Sequence, residues 1–346
     1  MISAQAPALP GSRLSRHTLL WSTLALAAAY IVVPAFATTY LLEAILLPFL
    51  ALSLAAVGLN LLTGYCGQLS LGSAAFMAVG AYAAYNFNLR ISVLPLPASL
   101  LLAGVTAAAL GTVFGLPSLR LRGFYLAVST LAAQFFVQWA LTKFGWFSNN
   151  NPSGVISAPR LVIAGISFDS AADRYLFSLT VVILLTWFAW YLMKGTVGRN
   201  MIAVRDNETA ARLIGIPVLR TKLLAFAVSS FIIGIAGALW AFTYLRTVEP
   251  AGFNLDRSFL VLFIIIIGGL ATIRGAFIGA AFIVAFPLIL ARIGAYAFGG
   301  ILDSGVLDMS QRIVLGVLII LFLILEPKGL AALIDRLSTW FRRRLA

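Results

Sequence analysis

Two stretches of this 346-residue chain hold side chains that could do more than pack. The first, GLNLLTGYCGQLSLGSAAFMAVGAY over 58–82, sets Asn60, Thr63, Gln68 and Ser70 among five glycines and many apolar residues. Amide and hydroxyl groups of this kind offer hydrogen bonds to a polar solute or to loosened backbone. The second, over 199–215, carries Arg199, Arg205, Asp206, Asn207, Glu208 and Arg212. That mixture suits ion pairing and docking. Covalent chemistry has little support. The single cysteine, Cys66, and the single histidine, His17, cannot build a Cys/His metal cluster. Cys66 reads as a small packing residue and His17 as part of a basic N-terminal flank. No G-x-x-x-x-G-K-[ST] phosphate loop is present, so the chain is expected to bind no cofactor of its own.

The elements that must position these groups follow from composition. The chain is 62% hydrophobic and 10% charged, where a soluble domain carries about 25% charged residues. Apolar runs of about 20 residues recur, each long enough to cross a bilayer core of about 30 Å as a helix. The expected fold class is therefore all-α, a polytopic membrane protein of about ten transmembrane helices. Their expected positions are 18–37, 44–63, 70–88, 97–116, 123–142, 175–193, 223–245, 258–273, 275–291 and 311–326. The first run follows Arg13, Arg16 and His17, as a signal peptide would, but it is longer than a usual signal core and reads as a retained span.

Orientation follows from the loops, because Lys and Arg concentrate on the cytoplasmic side. With both termini inside, 16 of the 24 Lys and Arg face the cytoplasm against four acids; eight face outward against seven acids. That asymmetry accounts for the net charge of +13 without nucleic acid. The expected domains are a cytoplasmic tail over 1–17, a transmembrane body over 18–326 and a basic cytoplasmic tail over 327–346. Loop 143–174 is periplasmic and loop 194–222 cytoplasmic. No Asp, Glu or Lys falls in the middle of an expected span, which argues against a proton-coupled carrier.

Each glycine lowers helix propensity by about 1 kcal/mol relative to alanine, and backbone can leave the helix in a membrane only where protein or a water-filled cavity satisfies it. Around Gly64, Gly67 and Gly72 the sequence predicts an irregular turn bordering a polar path. From Ser73 onward the small residues predict close helix packing instead. Gly268 and Gly269 mark a second break in IIIIGGLATIRGAFIGAAF over 264–282. Paired breaks occur in transporters built from internal repeats. Gln134 and Gln138 share one helical face and either line a pathway or bond to a neighbouring helix.

In the cytoplasmic loop, Ile202, Ala203, Ala210, Leu213 and Ile214 recur at helical spacing, and Gly215 and Pro217 stop the pattern. One amphipathic helix over 199–214 is expected. It either lies on lipid headgroups or docks a cytoplasmic partner; its mixed charge signs favour a protein groove. Asn207-Glu208-Thr209 matches a glycosylation sequon but faces the cytoplasm in this topology.

Three segments together resemble the branched-chain amino acid permeases of bacterial ABC importers: 58–82, GRNMIAVRDNETAARLIGIPVLRTKLLAFAVSSFIIGIAGALWA over 198–241, and the glycine-rich 264–282. The likeness covers roughly 40–330, and the length is similar to the longer of two paired permeases. It implies the many-helix, type II-like importer architecture seen in the cobalamin permease, in the bacterial inner membrane. It also implies a heterodimer with a second permease, two ATPase subunits that bind ATP and Mg, and a periplasmic solute-binding protein. Thr209-Ala210-Ala211 and Gly215 resemble the Glu-Ala-Ala-x-x-x-Gly coupling pattern of such permeases, with Thr209 in place of the acid. The resemblance thus assigns Arg199, Arg205–Arg212 and Gly215 to ATPase coupling, while the glycine breaks and polar side chains themselves make Asn60, Thr63, Gly64, Gly67, Gln68, Ser70, Gly72, Gln134, Gln138, Gly268 and Gly269 the candidates for the path. Relatives also carry urea, short amides and aromatic acids; urea permeases tend to carry Asp where this chain has Asn60, which leans towards an amino acid. The rival readings are an ion-coupled secondary carrier and a membrane enzyme, the latter lacking any constellation to support it.

Overall fold

The computed structural model describes residues 26–298, apart from 92–93, 120, 122, 152–154, 159–161, 164–165 and 168, and parts of 309–336. Its helices are α1 (28–36), α2 (Leu41–Tyr65), α3 (Ser73–Arg90), α4 (Leu96–Gly115), α5 (Phe124–Lys143), α6 (Ala171–Lys194), α7 (Thr196–Asp206), α8 (Glu208–Leu213), α9 (Val218–Leu245), α10 (Leu255–Gly268) and α11 (Ile273–Phe298). Among the described residues, seven of them are long and apolar enough to cross a membrane: α2, α4, α5, α6, α9, the stretch Pro250–Gly268 that contains α10, and the first part of α11. The 18-residue α3 is richer in small and polar residues, yet it lies buried between α4 and α9. The expected span over 18–37 is described only from residue 26, and the one over 311–326 lies largely outside the described residues.

Local sequence explains the helix ends. Ser170 accepts the Asp173 N–H at 3.0 Å and starts α6; Asn254 accepts the Arg257 N–H at 3.1 Å and starts α10. Two turns widen to π geometry just ahead of prolines: 28–32 before Pro34 and 41–46 before Pro48. Proline has no N–H to donate, so the wider turn lets the chain pass it without ending the helix. Two further π turns, at 61–65 and 240–245, close α2 and α9.

The core is built on α2 and α9, which are 83% and 78% enclosed along their apolar windows, whereas α6 is 22% enclosed and presents Leu184, Trp187 and Tyr191 outward. In α3 the small residues from Ser73 onward are a packing face. Gly80 lies against the Gly234 backbone and Gly237 against that of Met77, so α3 and α9 meet backbone to backbone. A side chain at Gly80 would sit inside the van der Waals envelope of the Gly234 carbonyl. Gly80→Leu should therefore cost more than the usual 1–3 kcal/mol of overpacking and lower the detergent-solubilised melting temperature sharply. A melting temperature equal to wild type would contradict this packing.

Outside the bundle, β1 (Ile156–Ser157) pairs antiparallel with β4 (Thr247–Val248), placing Ile156 opposite Val248; β2 (Val162–Ile163) and β3 (Ile166–Ser167) form a small hairpin. The turn after α5 is held by Arg90, whose guanidinium stacks on Trp146 at 3.9 Å and donates to its carbonyl at 2.9 Å. Arg174, expected in a loop, lies instead within α6, 5% exposed, paired with Glu43 and donating to the Thr243 carbonyl at 2.9 Å.

Candidate functional site

The two glycine-rich breaks meet. Asn60 is buried near the end of α2, 1% exposed. Its Nδ2 donates to the Thr272 carbonyl at 2.8 Å, and its Oδ1 accepts the Ala271 N–H at 2.9 Å. Ala271 lies in the left-handed region at φ 59°, which an alanine rarely adopts. One amide side chain thus satisfies both backbone groups of the turn between α10 and α11. Gly64, one helical turn on, leaves the space that Ala271 occupies. Gly268 packs against Gly275 in the same hairpin, and the Gly269 carbonyl accepts Thr272 Oγ1 at 2.8 Å.

Beyond Tyr65 the chain leaves the helix without leaving the protein. Cys66 N–H bonds to the Leu61 carbonyl and Gln68 N–H to that of Leu62. Thr63 Oγ1 donates to the Gln68 carbonyl at 3.1 Å, and Ser70 Oγ accepts the Gly72 N–H at 3.3 Å. Gly67 turns the chain at φ +72°, where a side chain would be strained and would also meet Arg205. Cys66 belongs to the buried cluster that includes Leu126, Leu71 N–H bonds to Thr130 Oγ1 at 2.9 Å, and Ala75 N–H bonds to Gln134 Oε1 at 2.5 Å. From 71 to 75 the chain therefore follows α5 by about one helical turn, roughly 6 Å.

Side chains from other elements complete the start of α3. Ser258 Oγ accepts the Ala74 N–H at 2.9 Å and donates to Gln134 Oε1 at 3.2 Å, while Gln134 Nε2 donates to the Phe253 carbonyl at 2.8 Å. The polar atoms of Asn60 and Gln134 are committed to the chain's own backbone and neighbours. Gln138 is half-buried one turn further along α5. Gln68 Oε1 is buried with no hydrogen-bond partner among the described residues. Ser258, which caps the start of α3, and Thr130, which holds Leu71 just before it, are not evident from sequence: a lone Ser and a lone Thr in apolar runs carry no local signal.

The cytoplasmic loop departs from expectation. Instead of one helix over 199–214 there are two, because Asn207 turns out of the helix and its Oδ1 accepts the Ala210 N–H at 3.0 Å to start α8. Gly215 ends α8 at φ +84°, with Ile216 N–H returning to Ala211 and Gly215 N–H to Arg212. Thr209, Ala210, Arg212, Leu213, Ile214 and Gly215 are exposed; Ala211 is buried against Val204 and Val218. Arg199 is exposed on α7, away from this tip. Glu208 receives Arg212 at 2.7 Å and Lys222 at 3.1 Å. Lys222, expected in the loop, lies inside α9 with its side chain 4% exposed. Arg205 pairs with Asp206 at 2.8 Å and donates to the Gly64 carbonyl at 3.0 Å. Three regions singled out from sequence thus converge: the end of α2, the α10–α11 turn and the α7–α8 unit.

Comparison with known proteins agrees with this architecture. Residues 41–323 match the family model described as branched-chain amino acid transport system / permease component. The chain belongs to that family. The permease is 29% identical to the high-affinity branched-chain amino acid transport system permease protein LivM of Escherichia coli K12, over 94% of this chain and 77% of that one. It is 28% identical to the autoinducer 2 import system permease protein LsrC of Enterobacter sp. 638, over 63% and 64% of the two chains. To the L-arabinose transport system permease protein AraH of E. coli K12 it is 35% identical, over 33% and 34%. No solved structure matches it. The permease is a multi-pass inner-membrane protein of the ABC transporter type, a non-catalytic subunit that works with other ABC components.

Proposed function

We propose that the permease imports branched-chain or related amino acids as one half of a heterodimer with a second permease. Two ATPase subunits carrying ATP and Mg would power it, and a periplasmic solute-binding protein would deliver the substrate. The relatives named LivM support the substrate class. The observation that carries the coupling reading is the short physical route from an exposed tip to the membrane breaks. Leu213 and Ile214, 85% and 74% exposed, stand at the end of α8; Glu208 ties α8 to Lys222 of α9, and Arg205 ties α7 to Gly64. An apolar pair of this size standing out in water fits a partner's groove. The stretch over 66–72, with Gln68 Oε1 unpaired, borders the translocation path in this reading.

The test is leucine uptake by proteoliposomes holding the complete complex, with ATP and loaded binding protein. ATP-dependent leucine uptake is expected, and Leu213→Asp with Ile214→Asp should separate the permease from its ATPases on co-purification and abolish uptake. Transport of urea, a short amide or an aromatic acid in place of leucine would replace the substrate. Uptake by the permease alone on a sodium or proton gradient would overturn the importer reading altogether.

A further inference from the structure

A second polar cluster lies at the other end of α9, where the loop charges predict only an outward-facing arginine. Arg257, in the first turn of α10, stacks on the Trp240 ring with its guanidinium carbon 4.1 Å from the centroid. Trp240 packs against Tyr244 at 4.6 Å and is 3% exposed. Both side chains keep a buried donor, Arg257 Nε and Trp240 Nε1, for which no acceptor exists among the described residues. Asp256, the neighbour of Arg257 in sequence, is exposed.

The cluster is built on irregular backbone. Trp240 opens the π turn over 240–245, which ends in left-handed Arg246 at φ 60°. The Arg257 backbone is fixed by Asn254, and its neighbour Ser258 caps α3. An unpaired buried N–H costs about 1–3 kcal/mol, and Arg257 turns its guanidinium onto the buried Trp240 ring from the first turn of α10, within a membrane-spanning stretch. The guanidinium fork matches a carboxylate through Nε and one terminal nitrogen together. The indole nitrogen is a donor only. Among the described residues, nothing supplies the acceptor that these two donors require.

We infer that Arg257 Nε and Trp240 Nε1 receive the carboxylate of the transported solute. This rests on the importer reading above and adds to it a named contact for the substrate. The contact lies beside Ser258, so an arriving carboxylate would bear directly on the residue that starts α3.

The test uses the assembled complex in proteoliposomes with leucine-loaded binding protein. Trp240→Phe keeps the ring and removes the N–H; Arg257→Lys keeps the charge and removes the fork. Leucine uptake should fall about fivefold and about tenfold respectively, as loss of one neutral and one charged hydrogen bond requires, with melting temperatures of the complex unchanged. Uptake within twofold of wild type in both variants, or losses that track a fall in melting temperature, would overturn the site. If wild type carries an aromatic acid instead of leucine with the same dependence on both residues, the amino-acid reading falls and the carboxylate site stands. If wild type carries only urea or an amide, both fall.

Discussion

Asn60→Leu should abolish uptake while leaving the permease in the membrane. Leucine fills a similar volume but strands the Ala271 N–H and the Thr272 carbonyl, both of which depend on the amide. Each orphaned buried group costs about 1–3 kcal/mol, and Ala271 loses the bond that holds it in the left-handed region. The α10–α11 turn would then relax away from α2, and Gly64 would lose its neighbour. Asn60→Asp keeps the acceptor for Ala271 and loses the donor to Thr272, so it should retain partial uptake. The measurement is ATP-dependent uptake normalised to the amount of assembled complex. Wild-type rates in Asn60→Leu would mean that the contact between the breaks does not matter for transport.

Reversing Glu208 should be as severe, by a different route. In Glu208→Lys the buried ammonium of Lys222 loses its partner and faces a second cation, with Arg212 alongside. Removing one member of a buried pair costs about 3–5 kcal/mol, enough to free α8 from α9. ATP hydrolysis should persist in the partner subunits while uptake stops. The double variant Glu208→Lys with Lys222→Glu restores opposite charges across the same gap and should recover part of the uptake. If the single reversal transports normally, or the double variant is no better than the single, the pair is not the link between the exposed tip and the bundle.

Much of the frame was legible because it follows from local chemistry. Within the described residues apolar runs placed the helices with ends displaced by up to seven residues, and glycine content marked both breaks; the expected span over 258–273 stops at Gly268, where the second break begins. The errors have physical reasons. Hydropathy puts Lys222 in a loop because it cannot register that Glu208 neutralises it, and α9 begins five residues before the expected span. The single cytoplasmic helix ignored a signal that was present: Asn207 followed by Glu208 is a helix start, and it divides the segment. For Gln134, whose helical face suits either path or packing, the bonds run to Ala75 and Phe253. What no local pattern could give is the partner of Asn60, which lies more than 200 residues away. The same holds for Arg257 and Trp240, whose pairing requires the fold.

The π turn at 61–65 holds an extra residue relative to α geometry, with Cys66 bonding back five positions to Leu61. The wider turn absorbs that residue, so the chain beyond it keeps the phase that sets Gly67 close to Arg205 while Asn60 holds the α10–α11 turn. Wound instead as a regular α-helix, the same residues would carry everything after the turn about 100° further around the axis, away from Arg205. One surplus residue, taken up locally, thus keeps the membrane break and the cytoplasmic helices in register.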